Sequence, residues 1–145
     1  MVYCIVEGHS DAIILSTVFE RIDGIDVKII ISDGFPSMPA VARTIMSFMN
    51  SRDKAMIVCD KDNFQRGGYG RDMFGFLMRG AINNPSFQLF TFNPNIDYLV
   101  AKQGEERGWK GKYEEIVRRV NDNIDAILKD ETVVKIIGFA TPRGV

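Results

Sequence analysis

Apolar residues gather in short runs at 2–6 (VYCIV), 27–31 (VKIII) and 55–59 (AMIVC), with almost no polar alternation inside them. A strand covered on both faces reads this way, because neither side of the pleat meets water. Between the runs the period changes. Ile14, Leu15, Val18, Phe19 and Ile22 recur at three- and four-residue spacing, as do Val41, Ala42, Ile45, Met46 and Met49. That spacing lays one apolar stripe along a helix. Ser10 reads as the cap of a first helix opening at Asp11 and closed by Gly24. Pro36 and Pro39 stand at the start of the second helix, where proline is tolerated, and it stops near Asn50.

Strand, helix, strand, helix, strand with short connections predicts βαβ units. Right-handed crossovers then align the C-terminal ends of the strands along one edge, the edge at which open α/β sheets bind ligands. The remainder is less regular. Residues 63–71 (NFQRGGYGR) read as a glycine-rich loop, 71–80 as a short helix and 87–92 (FQLFTF) as a fourth strand. A helical segment is expected over 95–103 after Pro94, and a loop over 104–112 (GEERGWKGK). Residues 113–129 predict one amphipathic helix, and 132–139 (TVVKIIGF) a last strand at a sheet edge. The expected fold class is α/β and Rossmann-like: a mostly parallel sheet of about four strands flanked by helices, with a C-terminal helix and an extra edge strand.

Composition narrows this picture only slightly. The 145 residues are 46% hydrophobic and 26% charged, which is ordinary for one globular domain. The apolar start is cut short by Glu7, too early for a secretory leader, and no run nears the ~20 residues that span a bilayer. Cys4 and Cys59 sit in apolar runs, without a CxxC pair or a histidine cluster. They read as small buried hydrophobes in a reducing compartment, not as a disulfide or zinc framework. A cytoplasmic protein with no membrane partner is expected. The net charge of −1 excludes a generic polyanion binder, although the balance is −3 over residues 1–62 and +2 over 63–145.

The chemistry lies at the strand ends. The first strand runs into Glu7, with Asp11 in the first turn of the following helix, and the third runs into Asp60 and Asp62 in the stretch MIVCDKDN. If the first and third strands are neighbours, Glu7, Asp60 and Asp62 meet at one edge. Asp60 and Asp62 share a face if the extended backbone continues, with Lys61 pointing away. Carboxylates gathered so closely repel one another until a proton or a cation neutralises them. Mg²⁺ suits such a place, since it takes one or two carboxylates, waters and phosphate oxygens. A plain turn is the competing reading, because Asp and Asn favour turns. Asp11 and Asp33 have equally ordinary readings, as a helix-start charge and a turn residue before Gly34. His9, the only histidine, sits between strand and helix at this edge. Arg66, Tyr69 and Arg71 could hold nucleic-acid phosphates and stack a base, or be a solvated loop. Arg107, Lys110 and Lys112 around Trp109 form a second basic and aromatic loop with the same two readings.

The sequence VEGHSD, with Glu7-Gly8 at the end of the first strand and Asp11 beyond, resembles the first motif of the Toprim family. Asp60-x-Asp62 resembles the second, and Gly34 falls where Toprim proteins carry a glycine. The version it is most similar to is that of small stand-alone Toprim proteins and of the overcoming-lysogenization-defect nucleases. The resemblance covers a core over about 2–92, leaving 93–145 as a C-terminal helical extension of a single domain spanning 1–145. It implies Mg²⁺ or Mn²⁺ held by Asp60 and Asp62, Glu7 as general acid or base or as a further ligand, and Asp11 as an accessory acid. The family's nucleases carry a further glutamate after the fourth strand; here Asn95-Ile96-Asp97 places an aspartate there. Neither a topoisomerase's winged helix and tyrosine nor a primase's zinc module is attached. The expected activity is phosphodiester cleavage of DNA or RNA. The alternative is a non-catalytic module that binds metal with nucleic acid or a partner protein, and a second copy of the chain is a further partner to consider. A phosphatase acting on a small nucleotide fits less well, because such enzymes use an aspartate at the end of the first strand.

Overall fold

A computed structural model describes residues 1–65, 67–102 and 104–142, apart from the side chains of Gln65, Tyr69, Phe74, Ala81 and Ile82. The strands among these residues are β1 (Val2–Val6), β2 (Val27–Ile31), β3 (Lys54–Asp60) and β4 (Phe87–Phe92). They form one sheet in the order β2-β1-β3-β4. Every pairing is parallel, with β1 in the middle of the register: Cys4 lies opposite Ile29 on one side and Met56 on the other. The fold is α/β and Rossmann-like, as the alternation of strand and helix predicts.

Side chains of a strand alternate between faces, and the two cores follow that rule. Cys4, Val6, Met56 and Val58 pack with helices α1 (His9–Phe19), α4 (Tyr113–Asp122) and α6 (Glu131–Ala140). Ile5, Ala55, Ile57 and Cys59 face the other way, onto α2 (Met38–Phe48) and α3 (Gly67–Asn83). A strand buried on both sides cannot alternate in polarity, which is why β1 and β3 read as plain apolar runs.

Four elements differ from expectation, the first being the helical segment expected over 95–103, which is only a 3-10 turn at Ile96–Leu99. The glycine-rich stretch is not a loop. A 3-10 turn occupies Lys61–Gln65, and α3 already begins at Gly67. Its glycine has a packing reason: a Cβ on Gly70 would stand 2.4 Å from the Asn63 carbonyl oxygen, so only glycine lets this turn of α3 press against the 3-10 turn. The amphipathic helix over 113–129 is split. At Asn123 the backbone leaves helical geometry (φ −114°), and the Asn123 side-chain amide donates to the Arg119 carbonyl. The helix resumes briefly as α5 (Ile124–Ile127).

The expected edge strand over 132–139 is the helix α6. An apolar run of this length suits either element, and the end of the run decides. Asp130 Oδ1 accepts hydrogen bonds from the Thr132 and Val133 amides, which caps a helix start. Val133, Ile136 and Ala140 then fall on one buried stripe. Asp130→Ala is expected to lower unfolding stability by about 1–2 kcal/mol, read as a lower urea midpoint. Asp130→Asn keeps an acceptor and should lose less than half as much, and an unchanged midpoint for the alanine variant would mean that α6 does not depend on its cap.

Candidate functional site

The parallel register brings the ends of β1 and β3 to one edge of the sheet, and an open cleft of about 290 Å³ lies there. Its walls come from four places in the chain. Glu7 and Gly8 follow β1. His9, Ser10 and Asp11 open α1, Asp60, Asp62 and Asn63 end and follow β3, and Asn95 and Asp97 follow β4. The 104–112 loop adds Arg107 and Lys110.

Each carboxylate of the acidic wall is fixed by one hydrogen bond. Asn63 Nδ2 donates to Glu7 Oε2 at 2.9 Å, and Asn95 Nδ2 to Asp62 Oδ2 at 3.3 Å. The Ile96 amide donates to Asp60 Oδ1 at 2.8 Å, and the Gly8 amide to Asp11 Oδ2 at 3.3 Å. The second oxygen of each acid has no hydrogen-bond or ion-pair partner among the described residues, so each side chain is oriented yet keeps an oxygen for a ligand. Gly8, not Ser10, is the N-cap of α1, which places Asp11 at the third helical position, where it reaches back to the Gly8 amide.

Burial and mutual repulsion raise two of these acids. Asp60 is pushed up to about 7, first by burial and then by Asp11, Asp62 and Asp97, against the lowering effect of the Ile96 amide. Asp11 rises to about 6, chiefly by burial and then by Glu7. Lys110 acts on Asp11 in the lowering direction without offsetting the rise, and a proton or a cation can neutralise the acids further.

Oxygen donors of this kind suit a hard divalent cation. Among the described residues, however, no three acidic, histidine or cysteine side chains stand close enough to enclose one ion as they are placed. One reason is local. Asp62 does not continue the strand; the chain turns at Lys61, so the shared face expected for Asp60 and Asp62 is not formed. Lys61 is exposed, on the outside of that turn. The donor set therefore fits an ion held by one or two carboxylates and completed by water or ligand oxygens, which is how Mg²⁺ is usually bound, and not a closed protein cage.

Other sequence candidates separate. His9 lines the cleft and is exposed. Asp33, at φ 60°, is exposed and outside the lining, while the Gly34 amide donates to the Glu7 carbonyl and so holds the backbone beneath the acid. Arg71 is exposed on α3 and Lys112 at the start of α4; neither lines the cleft. Arg66 and the Tyr69 side chain lie outside the described residues. Trp109 is 4% exposed and belongs to the core, with the Arg119 guanidinium 5.3 Å from its ring centre, so it offers no stacking surface.

Sequence reasoning missed the two asparagines that orient Glu7 and Asp62. It also missed the partners of Asp97, whose side chain is 3% exposed and whose Oδ2 lies 3.0 Å from both Arg107 Nη1 and Lys110 Nζ. Amide residues beside acids, as in Asp62-Asn63 and Asn95-x-Asp97, were the available signal. Compared with protein-family models, curated proteins and solved structures, the chain matches none.

The raised acids give the stability a definite pH sense. Below the ordinary carboxyl value of 3.8, Asp60 is protonated whether the chain is folded or not. Between there and about 7 the unfolded chain gives up the proton while the folded chain keeps it, so this group's contribution to stability falls as pH rises, and above about 7 its loss is complete. In metal-free buffer Asp60→Asn should therefore gain thermal stability relative to wild type as pH rises from about 5 to about 8. A difference in melting temperature that stays flat with pH would contradict the raised Asp60.

Proposed function

We propose that the cleft is the active site of a Toprim-like, Mg²⁺- or Mn²⁺-dependent nuclease acting on DNA or RNA. The observation that carries this reading is the set of acids at the sheet edge, each fixed through one oxygen with no partner for the other among the described residues, two of them raised first by burial and then by neighbouring acids. Asp60 and Asp62 would hold the ion, with Asp11 as an accessory ligand and Glu7 within the same set. When bound, the ion supplies charge neutralisation at the phosphate and lowers the pKa of a water.

The chain's own residues supply the remainder. Asn63 fixes one oxygen of Glu7 and leaves Oε1 to take or give a proton at the scissile bond, the role of a general acid or base. Asn95 orients Asp62 in the same manner. The Ile96 amide holds Asp60 Oδ1 and leaves Oδ2 for the ligand. Arg107 and Lys110 place positive charge on the wall that faces an incoming phosphate.

A second reading is favoured by one observation, the absence of an enclosed three-acid ion site among the described residues. On that reading the module binds metal with nucleic acid or a partner protein and does not turn over. Saturable binding in calorimetry without cleavage would select it.

Purified protein with Mg²⁺ or Mn²⁺ should cut at least one of single- or double-stranded DNA or RNA. Asp60→Ala should abolish cleavage, and Glu7→Gln should lower kcat by about 10²–10⁴-fold. Mn²⁺ alone should also raise the melting temperature of the wild type at neutral pH and leave Asp60→Ala unmoved. Wild type and Asp60→Ala equally inert on all four substrates would end the nuclease reading.

A further inference from the structure

Two cations reach the cleft in an unusual way. Arg107 Nη1 and Lys110 Nζ both lie 3.0 Å from the same oxygen, Asp97 Oδ2. Asp97 is 3% exposed, and its other oxygen, Oδ1, is buried with no hydrogen-bond partner among the described residues. The two cations are 54% and 43% exposed. A buried carboxylate needs its charge paired, so these contacts hold both side chains in place in a way that solvent-exposed ion pairs do not. One negative charge shared by two positive ones leaves the wall with a net positive charge.

The loop that carries them is held at several points. Gly104 and Gly111 take φ of 77° and 81°, values that favour glycine. The Gly111 amide donates to Ser10 Oγ at the start of α1. Glu105 pairs with Arg119 of α4, and buried Trp109 fixes the middle of the loop. Arg107 and Lys110 thus project from a supported wall, with donors left over: three hydrogens of an ammonium and five of a guanidinium exceed what one carboxylate oxygen accepts.

We propose that Arg107 and Lys110, anchored on Asp97, form a phosphate clamp that grips the backbone of a nucleic-acid strand beside the acidic edge. Asp97 is then a positioning residue for the clamp. This rests on the nucleic-acid reading of the site. The cleft has two electrostatic halves, Glu7, Asp11, Asp60 and Asp62 against Arg107 and Lys110. A phosphodiester fits both at once, with non-bridging oxygens toward the cations and the remainder toward a cation held by the acids. A neutral ligand would leave the clamp unused, and a purely cationic one would be repelled by it.

The clamp makes affinity depend on salt, because each phosphate contact releases counterions. The test measures binding of labelled single- and double-stranded oligonucleotides, with Ca²⁺ in place of Mg²⁺, across a range of salt concentrations. Compared are wild type, Arg107→Gln, Lys110→Gln, the double variant and Lys135→Gln, which removes a charge from the exposed side of α6. The double variant should lose about tenfold or more in affinity at low salt, and its slope of log K against log salt should shrink by about 1–2. Lys135→Gln should keep the wild-type slope. Mn²⁺ titrations read by melting temperature should saturate in the double variant as in wild type, which separates the clamp from the ion site. If wild type binds and the double variant binds with the same affinity and slope, the clamp is wrong while the nucleic-acid reading stands. If wild type binds no oligonucleotide, both fall. Should the double variant lose its far-ultraviolet dichroism, the single variants Arg107→Gln and Lys110→Gln carry the test: a slope reduced by about 1 in each supports the clamp, and a wild-type slope in both overturns it.

Discussion

Repulsion among carboxylates on a rigid edge is the constraint around which this molecule is arranged. Acids on a flexible loop would turn apart into water. Here they sit at the ends of strands whose partners and faces are already decided. β1 is paired on both sides, and its side chains are buried to left and right of the sheet, so the point at which Glu7 leaves the sheet is set by the core. The same holds for Asp60, the last residue of β3. A one-residue slip of either strand would exchange the side chains fitted into the two cores, which close packing resists. The core therefore enforces both the burial and the crowding of these acids, and the two together raise the carboxyl groups of Asp11 and Asp60, burial the more.

What surrounds the acids manages that strain without cancelling it. The neighbours of Glu7 and Asp62 are neutral amides, and those of Asp60 and Asp11 are backbone N–H groups. Amide donors orient a carboxylate and lower its energy somewhat, but leave its charge in place. The full cations of the cleft are spent elsewhere, on Asp97.

Much of the fold was legible because buried parallel strands leave a plain trace. VYCIV, VKIII and FQLFTF carry few polar residues, and the observed strand bounds match the runs closely. The acids were legible because Glu7, Asp60 and Asp62 end such runs abruptly. Elsewhere a local rule pointed the wrong way. Glycines at 67, 68 and 70 read as loop residues by propensity, yet they lie in a helix, and Gly70 is glycine there because the 3-10 turn passes within contact of it. TVVKIIGF reads as a strand by its β-branched residues, yet one cap two positions upstream commits it to a helix. Asp62 had two readings, a continuation of β3 and a turn favoured by Asp and Asn, and the turn that begins at Lys61 is the one formed. The partners of Asp97 lie in a loop 10 and 13 residues away, with no periodic pattern to link them.

The Arg119 side chain has a wider reach than its position on α4 suggests. It pairs with Glu105, donates to the Val100 carbonyl and lies against Trp109, so a single guanidinium ties α4 to the loop. The acidic wall is borne by the sheet, whose opening requires the whole core to come apart. The basic wall hangs from a helix through contacts that a local opening can release. On warming, the two halves of the cleft should therefore part company before the protein melts: the grip on a charged backbone softens first, while the carboxylates remain in register.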